Sequence, residues 1–497
     1  MTKRRRTAAA ALAAVTAMTL ASPTFAADRD LWFEVSLGGS SMGHMHEVLT
    51  VGDDGMLTTS LTSDMAMMRG DELVSVKGTD VWVESPDGTP VSYMHTRKLA
   101  METIELDVTA EPGRLRLRKS DGRDAVFTTI EFEGELLFPA GIERLHVDKG
   151  FVEGSEYTFQ AFDTDFEEVA VFNVRVEGRE TLTILGESRE LMKLVLTSDL
   201  YEGIEFIEWR SADGELWRDE APQLDSARER STGDLAMREK EAEELLAVTS
   251  IPSNVAISDP RTVDDALFEL WVEGGDISES LPEDVRQSVE GTTNRGVLLR
   301  VSRVVPSGPS TVKFPVRDTS MKDYTDGNAL MQTWYPRILG TAVKQIWGTN
   351  NDPWDGAVNV EKWVYNYIED KGLGTAFASA QEVLENMSGD CTEHAILMAT
   401  MARAVGIPTR LAAGIVHYEG DFAYHMWVEV WNGEAWYALD PTVGRGSVDA
   451  THIKLADSAV RGGRVAELSV GIMRVFNRLG VKVIEYTVDG ETVRVSG

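Results

Sequence analysis

The sequence predicts an α+β protein in which a large antiparallel β-rich region precedes a core of mixed helices and strands. Three observations predict this fold class. Runs of β-branched and aromatic residues separated by turn signals fill the first half of the chain, apolar residues at helical spacing begin near residue 326, and strand-like alternation returns after residue 410. The predicted divisions of the 497 residues are a signal peptide at 1–26, an antiparallel β-rich domain at 27–225, a helical connector with a small mixed subdomain at 226–320, a core of helices and strands at 321–455 and a C-terminal extension at 456–497.

The chain begins with the features of an export signal. Lys3-Arg4-Arg5-Arg6 forms a basic start, residues 7–21 are alanine-rich and apolar, and Thr24-Phe25-Ala26 offers small residues for cleavage. A membrane anchor is disfavoured because the apolar stretch is short and no stop-transfer pattern follows it. We therefore predict a periplasmic or secreted protein with a Sec-type signal, twin-arginine export being less favoured. No integral membrane segment is predicted after cleavage.

Charge and motif content argue against several partners and cofactors. The formal net charge of −33 gives a surface that repels nucleic acid and anionic lipid. Nucleotide, flavin and EF-hand motifs are absent from the sequence, so no cofactor and no metal are predicted. The chain has one cysteine, which can form no intramolecular disulfide, so another role must explain it. Composition leaves the oligomeric state open.

Residues 27–225 have the pattern of antiparallel strands. Their apolar runs are rich in β-branched and aromatic residues, and Asp-Gly pairs typical of hairpin turns lie between the runs. We expect a half-barrel or a sandwich built from such strands. Representative runs are 31–35, 169–176 and 204–209, and the turn pairs are Asp54-Gly55, Asp87-Gly88 and Asp213-Gly214.

A charged helix is predicted to connect this region to the rest of the chain. Residues 237–246 are strong helix formers, and Ile251-Pro252-Ser253-Asn254 ends the helix. A short strand at 296–301 marks the small mixed subdomain. In the core, residues 358–370 have apolar side chains at helical spacing, and Ser379-Ala380-Gln381-Glu382 is a capping-box signal for a second short helix.

The cysteine opens a third predicted helix. Asp390 is a suitable N-cap, small apolar residues follow Cys391, and Gly406-Ile407-Pro408 supplies the stop. Cys391 then lies in the first turn, where the helix dipole and unpaired N–H groups favour a thiolate and offer donors for an oxyanion. The position therefore suits a nucleophile.

A histidine and an aspartate follow on a predicted hairpin. The segments around His425 and Asp440 alternate like strands, and Asn432-Gly433 between them is a strong turn signal. A two-residue loop places His425 opposite Asp440. A four-residue loop, 432–435, makes Asp440 its diagonal neighbour. Either register puts both side chains on one face, as a Cys–His–Asp nucleophilic site requires.

Four sequence blocks resemble the transglutaminase-like superfamily in order and spacing. The resemblance covers about residues 330–450 and implies a papain-like α+β core with Cys391, His425 and Asp440 as its triad. It also implies acyl transfer through a thioester on a peptide or protein substrate. Ser388 departs from the Arg that the family often has there. The blocks are Gly389-Asp390-Cys391-Thr392-Glu393-His394-Ala395, Ala404-Val405-Gly406-Ile407-Pro408-Thr409-Arg410, His425-Met426-Trp427-Val428-Glu429-Val430 and Trp436-Tyr437-Ala438-Leu439-Asp440-Pro441-Thr442.

Several alternatives stay open. The enzyme could hydrolyse peptide or amide bonds, as many bacterial members of the superfamily resemble proteases or amidases, or it could cross-link proteins through amines. It could also be a silent scaffold that acts through its β-domain. For the residues, Cys391 could be a structural thiol and His394 a rival base. Zinc could bind Cys391, His425 and Asp440, or a metal could bind His44 and His46 on one strand face.

Overall fold

The computed structural model describes residues 28–69, 72–99, 102–120, 125–238, 250–278, 281–371, 378–464 and 466–495. The predicted signal peptide at 1–26 and most of the predicted connector helix at 237–246 lie outside these residues. The chain divides into two compact units. Nearly all described residues up to 238 belong to the N-terminal unit, and those from 250 onward belong to the C-terminal unit.

The N-terminal unit is built on one sheet of fifteen described strands, in the order β8-β7-β6-β5-β4-β3-β2-β1-β15-β14-β13-β12-β11-β10-β9. Strand β1 is antiparallel to both β2 and β15, and among the described strand pairs of this sheet β9 and β10 run parallel. The antiparallel β-rich prediction is confirmed, although the strands form one sheet rather than the two of a sandwich. The strands are β1 Arg29–Leu37, β2 Ser40–Val51, β3 Leu57–Arg69, β4 Glu72–Glu84, β5 Pro90–Leu99, β6 Glu102–Glu111, β7 Arg114–Ser120, β8 Ala125–Glu131, β9 Leu136–Leu137, β10 Glu156–Asp163, β11 Glu168–Ile184, β12 Glu187–Ser198, β13 Glu205–Arg210, β14 Leu216–Ala221 and β15 Ser226–Ser231; helices α1 Pro139–Lys149 and α2 Gly233–Ala236 accompany them.

Strand β15 corrects the predicted boundary at residue 226. The sequence assigned these residues to the connector, but they pair with β1 and β14 inside the sheet. The prediction missed this strand because its inward position is charged. Arg228 is only 1% exposed, and its Nε donates to Asp219 Oδ2 across 2.7 Å. A buried arginine hides the apolar alternation by which strands are recognised.

The C-terminal unit contains two sheets and a group of helices. Its strands are β16 Val263–Val272, β17 Gln287–Thr292, β18 Val297–Ser302, β19 Thr409–Tyr418, β20 Asp421–Trp431, β21 Trp436–Leu439, β22 Ile453–Ser458, β23 Leu479–Val488 and β24 Glu491–Arg494; its helices are α3 Pro336–Gln345, α4 Pro353–Tyr367, α5 Ala380–Asn386, α6 Cys391–Ala404 and α7 Ala466–Met473. One sheet has the order β17-β18-β16-β23-β24 and the other β21-β20-β19-β22. The predicted C-terminal extension therefore completes the sheet of the predicted small subdomain.

Helix α6 is the centre of the C-terminal unit. It packs against α3, α4 and α5 and against strands β19 and β20. Every residue from Cys391 to Arg403 is buried, which explains the run of small and apolar side chains in the sequence. Gly406 follows the helix at φ +80°, and an added Cβ there would lie 2.5 Å from Pro315 Cβ, so glycine is required. No described helix has the length and apolar character needed to cross a membrane.

Candidate active site

The N-terminus of α6 fixes the position of Cys391. Asp390 is the N-cap, and its carboxylate accepts from the backbone N–H of Thr392 across 2.7 Å. Glu393 completes a capping box by accepting from the Asp390 N–H at 3.0 Å. Gly389 allows this close turn, because a Cβ there would meet Glu393 Cβ at 2.2 Å. Cys391 is consequently held in the first helical turn with 3% of its surface exposed.

The hairpin between β20 and β21 has a loop of four residues, 432–435, because Trp431 pairs with Trp436. The alternative of a two-residue turn at Asn432-Gly433 is wrong. The side-chain oxygen of Asn432 accepts hydrogen bonds from two later backbone N–H groups of the loop, at 2.9 and 3.0 Å. These two bonds close the longer turn, and they place Asp440 diagonally from the histidine of β20.

His425 and Asp440 meet as the hairpin argument predicted. His425 Nε2 donates to Asp440 Oδ2 across 2.9 Å, and the two residues are 4% and 1% exposed. The other oxygen, Oδ1, accepts from the backbone N–H of Thr442 at 2.9 Å and from the Thr442 hydroxyl. Strand β20, which carries His425, packs against the Cys391 helix. The structure therefore brings the predicted histidine and aspartate together on the sheet that supports the cysteine.

A second histidine, His452, approaches Asp440 and was not found by sequence reasoning. Its Nε2 lies 3.2 Å from Asp440 Oδ2, the oxygen that also accepts from His425. Burial opposes ionisation of Asp440, but the charges and hydrogen bonds of His425 and His452 outweigh it and hold the pKa of Asp440 well below its ordinary value. The carboxylate is thus kept ionised in a buried place.

His394, the rival base, is held on its own helix. Its Nδ1 lies 2.6 Å from the backbone oxygen of Asp390, an acceptor, so Nδ1 carries the proton. Burial is the main cause that lowers the pKa of His394 to about 4. The ring is therefore neutral at neutral pH, and the low pKa makes His394 a weak proton acceptor compared with an imidazole that is paired with a carboxylate.

Glu361 is a buried acid next to the pair. It lies on α4, has no exposed surface and accepts from the backbone N–H of Gly446 at 2.9 and 3.2 Å. Burial, followed by the negative charge of Asp440, raises the pKa of Glu361 to about 8. The carboxyl group therefore holds a proton at neutral pH and adds no second negative charge beside Asp440.

Glu361→Gln should reduce the pH dependence of stability. Because the pKa of Glu361 is raised from 4.5 to about 8 in the folded state, its stabilising effect is fully present below the unfolded value and is lost as pH rises through the folded one. The Tm of the variant relative to wild type should therefore rise by about several degrees between about pH 5 and pH 8. Thermal unfolding followed by circular dichroism measures this change, and a constant difference would contradict it.

The residues that could hold a metal include two of the three that the zinc alternative named. Among the described residues, His425, Asp440 and His452 form the group whose ligand atoms lie within 4.8 Å of one another. Two imidazole nitrogens and one carboxylate oxygen are ligands that zinc accepts. In the described part of the chain, His452 takes the place that the zinc alternative gave to Cys391.

Sequence comparison connects the helix and hairpin to a known family. The family model of the transglutaminase-like superfamily matches residues 340–441. An uncharacterized protein of Mycobacterium leprae is 26% identical over 102 residues, which are 19% of this chain and 36% of that protein. The match with this relative therefore spans little more than a third of the relative's length.

Comparison with solved structures gives three similar chains, each of low identity. A candidate cysteine protease from Cytophaga hutchinsonii is 15% identical, with coverage of 47% of this chain and 89% of that chain and a TM-score of 0.29. A β-barrel-like protein of a domain of unknown function from Brucella abortus is 12% identical, with coverage of 41% and 95% and a TM-score of 0.33. The periplasmic domain of TgpA from Pseudomonas aeruginosa is 17% identical, with coverage of 37% and 92% and a TM-score of 0.21.

Proposed function

We propose, from the match of residues 340–441 to the family model of the transglutaminase-like superfamily, that the chain is an exported cysteine-dependent enzyme that hydrolyses peptide or amide bonds through a thioester. Cys391 is the proposed nucleophile, His425 its base and acid, and Asp440 the residue that orients His425. Export is supported by the basic and apolar residues at the start of the chain.

The observation that carries this proposal is the buried hydrogen bond between His425 Nε2 and Asp440 Oδ2, at 2.9 Å. An aspartate at Nε2 fixes the tautomer in which Nε2 holds the proton, so Nδ1 is the nitrogen able to accept one. Strand β20, which carries His425, packs against helix α6, whose first residue is Cys391. A thiol at a helix N-terminus, with an imidazole base on the strand packed against that helix, supports a nucleophilic thiolate at Cys391.

The reaction follows from these roles. Cys391 gives its proton to His425 Nδ1, and Sγ attacks the carbonyl carbon of the substrate, with helix N–H groups available to the oxyanion. The C–N bond breaks as the leaving amine takes the proton from His425, and a thioester remains on Sγ. Water then attacks the thioester and gives a proton to His425. The C–S bond breaks, the carboxylic acid leaves, and the sulfur regains its proton.

Low exposure of the site favours water as the acceptor. Cys391, His425 and Asp440 are 3%, 4% and 1% exposed. An amine on a second protein would have to reach a thioester on a sulfur of this low exposure, whereas water is the smallest acceptor. We therefore place hydrolysis ahead of protein cross-linking.

The test is the rate at which iodoacetamide alkylates Cys391, measured against pH by mass spectrometry on the protein without residues 1–26. The sequence contains one cysteine, so the labelled site is unambiguous. We expect fast alkylation that persists well below the ordinary thiol pKa of about 8.5 and is lost in His425→Ala. An aryl acetate should also acylate Cys391, and hydroxylamine should release the acyl group.

His394→Asn is the matched control, because asparagine can still donate to the Asp390 carbonyl that His394 Nδ1 contacts. It should keep the fast reaction and so exclude His394 as the base. Alkylation that rises only near pH 8.5, or that does not respond to His425→Ala, would contradict the proposal and indicate a structural thiol. Acyl transfer to an added amine that outpaces hydrolysis would support cross-linking instead.

A further inference from the structure

We infer that His452 is a positioning residue for the proposed reaction: it holds Asp440 against His425 and connects this pair to a buried chain of charged groups that ends at Arg261. This inference rests on the function proposed above. It assigns a role to a side chain that neither the sequence blocks nor the family match contains, since the match ends at residue 441.

Each link of the chain is a short polar contact. His452 Nε2 lies 3.2 Å from Asp440 Oδ2, and on the opposite side of the ring His452 Nδ1 lies 3.2 Å from Asp449 Oδ2. Arg261 Nη1 then lies 2.6 Å from the same oxygen of Asp449. The order is therefore His425, Asp440, His452, Asp449, Arg261, with acidic and basic groups in alternation, and Arg261 Nη1 also lies 3.4 Å from His452 Nδ1.

The chain is enclosed by protein. His452 has no exposed surface, Asp449 is 3% exposed, and only Arg261, at 15% of its side chain, reaches toward solvent. The ring of Trp427 stands at 88° to the His452 ring with centroids 5.4 Å apart and closes one side. Water cannot easily replace a lost hydrogen bond in such a place, so each link is worth more than on the surface.

Asp449 is itself held in position. Its other oxygen, Oδ1, accepts from the backbone N–H of Thr451 at 2.8 Å and from the Thr451 hydroxyl. The turn 449–452 therefore delivers His452 to Asp440 at the start of β22. Arg286 Nη2 adds a bond to the backbone oxygen of Asp449 at 3.1 Å. The turn that positions His452 is therefore held by hydrogen bonds to Asp449, the residue that His452 Nδ1 contacts.

Two anchors define the orientation of the Asp440 carboxylate. Thr442 holds Oδ1 and His452 holds Oδ2, while His425 also binds Oδ2. Without His452 the carboxylate keeps Thr442 as its anchor at Oδ1, but Oδ2, the oxygen that orients His425, loses its second partner. A displacement of about 1 Å in a catalytic group is enough to lower a rate by roughly a hundredfold. The contact of His452 with Asp440 therefore helps to hold His425, the proposed base, in its orientation.

The test compares two amide replacements of His452 in the alkylation assay. Glutamine can place an N–H near the position of Nε2 and keep the bond to Asp440, whereas asparagine can place one near Nδ1 and keep only the bond to Asp449. We expect His452→Asn to slow alkylation of Cys391 at neutral pH by about tenfold to a hundredfold. His452→Gln should stay within about threefold of wild type. Proton NMR should show the downfield His425 imidazole N–H unchanged in the glutamine variant and shifted in the asparagine variant.

His417→Gln is the matched control, because His417 is a fully buried histidine of the same unit whose Nε2 lies 3.0 Å from the backbone oxygen of Val255. Arg261 donates to the backbone oxygen of His417 and not to its ring, so the replacement keeps that bond. It should leave the alkylation profile unchanged. The positioning role would be overturned if His452→Asn and His452→Gln were alkylated at the same rate, whether or not both were slowed together with an equal loss of Tm. Either result would leave the proposed function intact. Wild-type alkylation that ignores His425→Ala would overturn both proposals.

Discussion

Asp440→Asn should abolish the fast alkylation of Cys391 while leaving the fold intact. Asparagine has nearly the shape of aspartate, but it is neutral, and either end of its amide can face His425. With an amide N–H toward Nε2, the imidazole would move its proton to Nδ1, the nitrogen proposed to take the proton of Cys391. In a serine-protease triad, the same replacement lowers kcat by about ten thousandfold for this reason. We expect a loss of about a hundredfold or more in the alkylation rate below pH 7.

The loss of alkylation rate in Asp440→Asn should exceed the loss expected from one hydrogen bond, because Asp440 Oδ2 contacts two histidines. The measurement is the alkylation rate against pH, with Tm recorded for each protein. Asp323→Asn is a suitable control, since this aspartate is half exposed and forms an ion pair with Arg461 at 3.2 Å. A wild-type profile in Asp440→Asn would remove Asp440 from the proposed mechanism.

The part of the site that could be predicted is the part encoded over short distances. The start of α6 follows from Asp390 and Glu393, which lie three residues apart and form a capping box. The pairing of His425 with Asp440 follows from the two-residue period of strands on either side of one turn. Only the loop length was undetermined, because it depends on the hydrogen bonds of the Asn432 side chain rather than on periodicity.

The part that was missed depends on contacts between distant segments. Arg261 and Asp449 are separated by 188 positions, and His452 lies beyond the family match, so no spacing rule relates them to Cys391. The only local signal was an aspartate three residues before a histidine at the start of a strand. Such signals are common in sequences, and here a tertiary fold is needed to show that the histidine faces Asp440.

The same difference between local signals and contacts of distant segments explains which parts of the fold could be predicted. Strand-rich composition identified the antiparallel sheet, but the pairing of β23 with β16 joins residues from 479–488 to 263–272. The alternation of apolar and polar residues identifies a strand, but it does not indicate which distant strand pairs with it. A region that looks like an extension in sequence is therefore part of a sheet in the structure.

Lys454→Met should destabilise the C-terminal unit by about 3–5 kcal/mol. Lys454 is 1% exposed, and its Nζ lies 2.5 Å from Asp284 Oδ2, 3.0 Å from Glu429 Oε1 and 3.3 Å from Asp457 Oδ2. Burial alone would lower the pKa of Lys454, but these three carboxylates raise it. Methionine fills the space of the stem and removes the charge. Asp284 and Glu429 are then left with buried negative charge that Lys454 no longer balances, and such a loss is strongly destabilising.

The stability lost in Lys454→Met should become smaller as pH falls. Burial opposes ionisation of Asp284, but Lys454 outweighs it and holds the pKa of Asp284 below its ordinary value, so the stabilisation exists above the unfolded pKa and is lost as pH falls. The variant should therefore be furthest from wild type at neutral pH and approach it in acid. Urea unfolding at both pH values, followed by pulse labelling of the buried Cys391, measures this difference. Lys313→Met is the control: its side chain is 54% exposed and lies 3.5 Å from Asp352, so its removal should change stability by less than about 1 kcal/mol. Equal effects of the two replacements would mean that Arg410, which also contacts Glu429 and Asp457 at 2.7 Å, neutralises the buried carboxylates without Lys454.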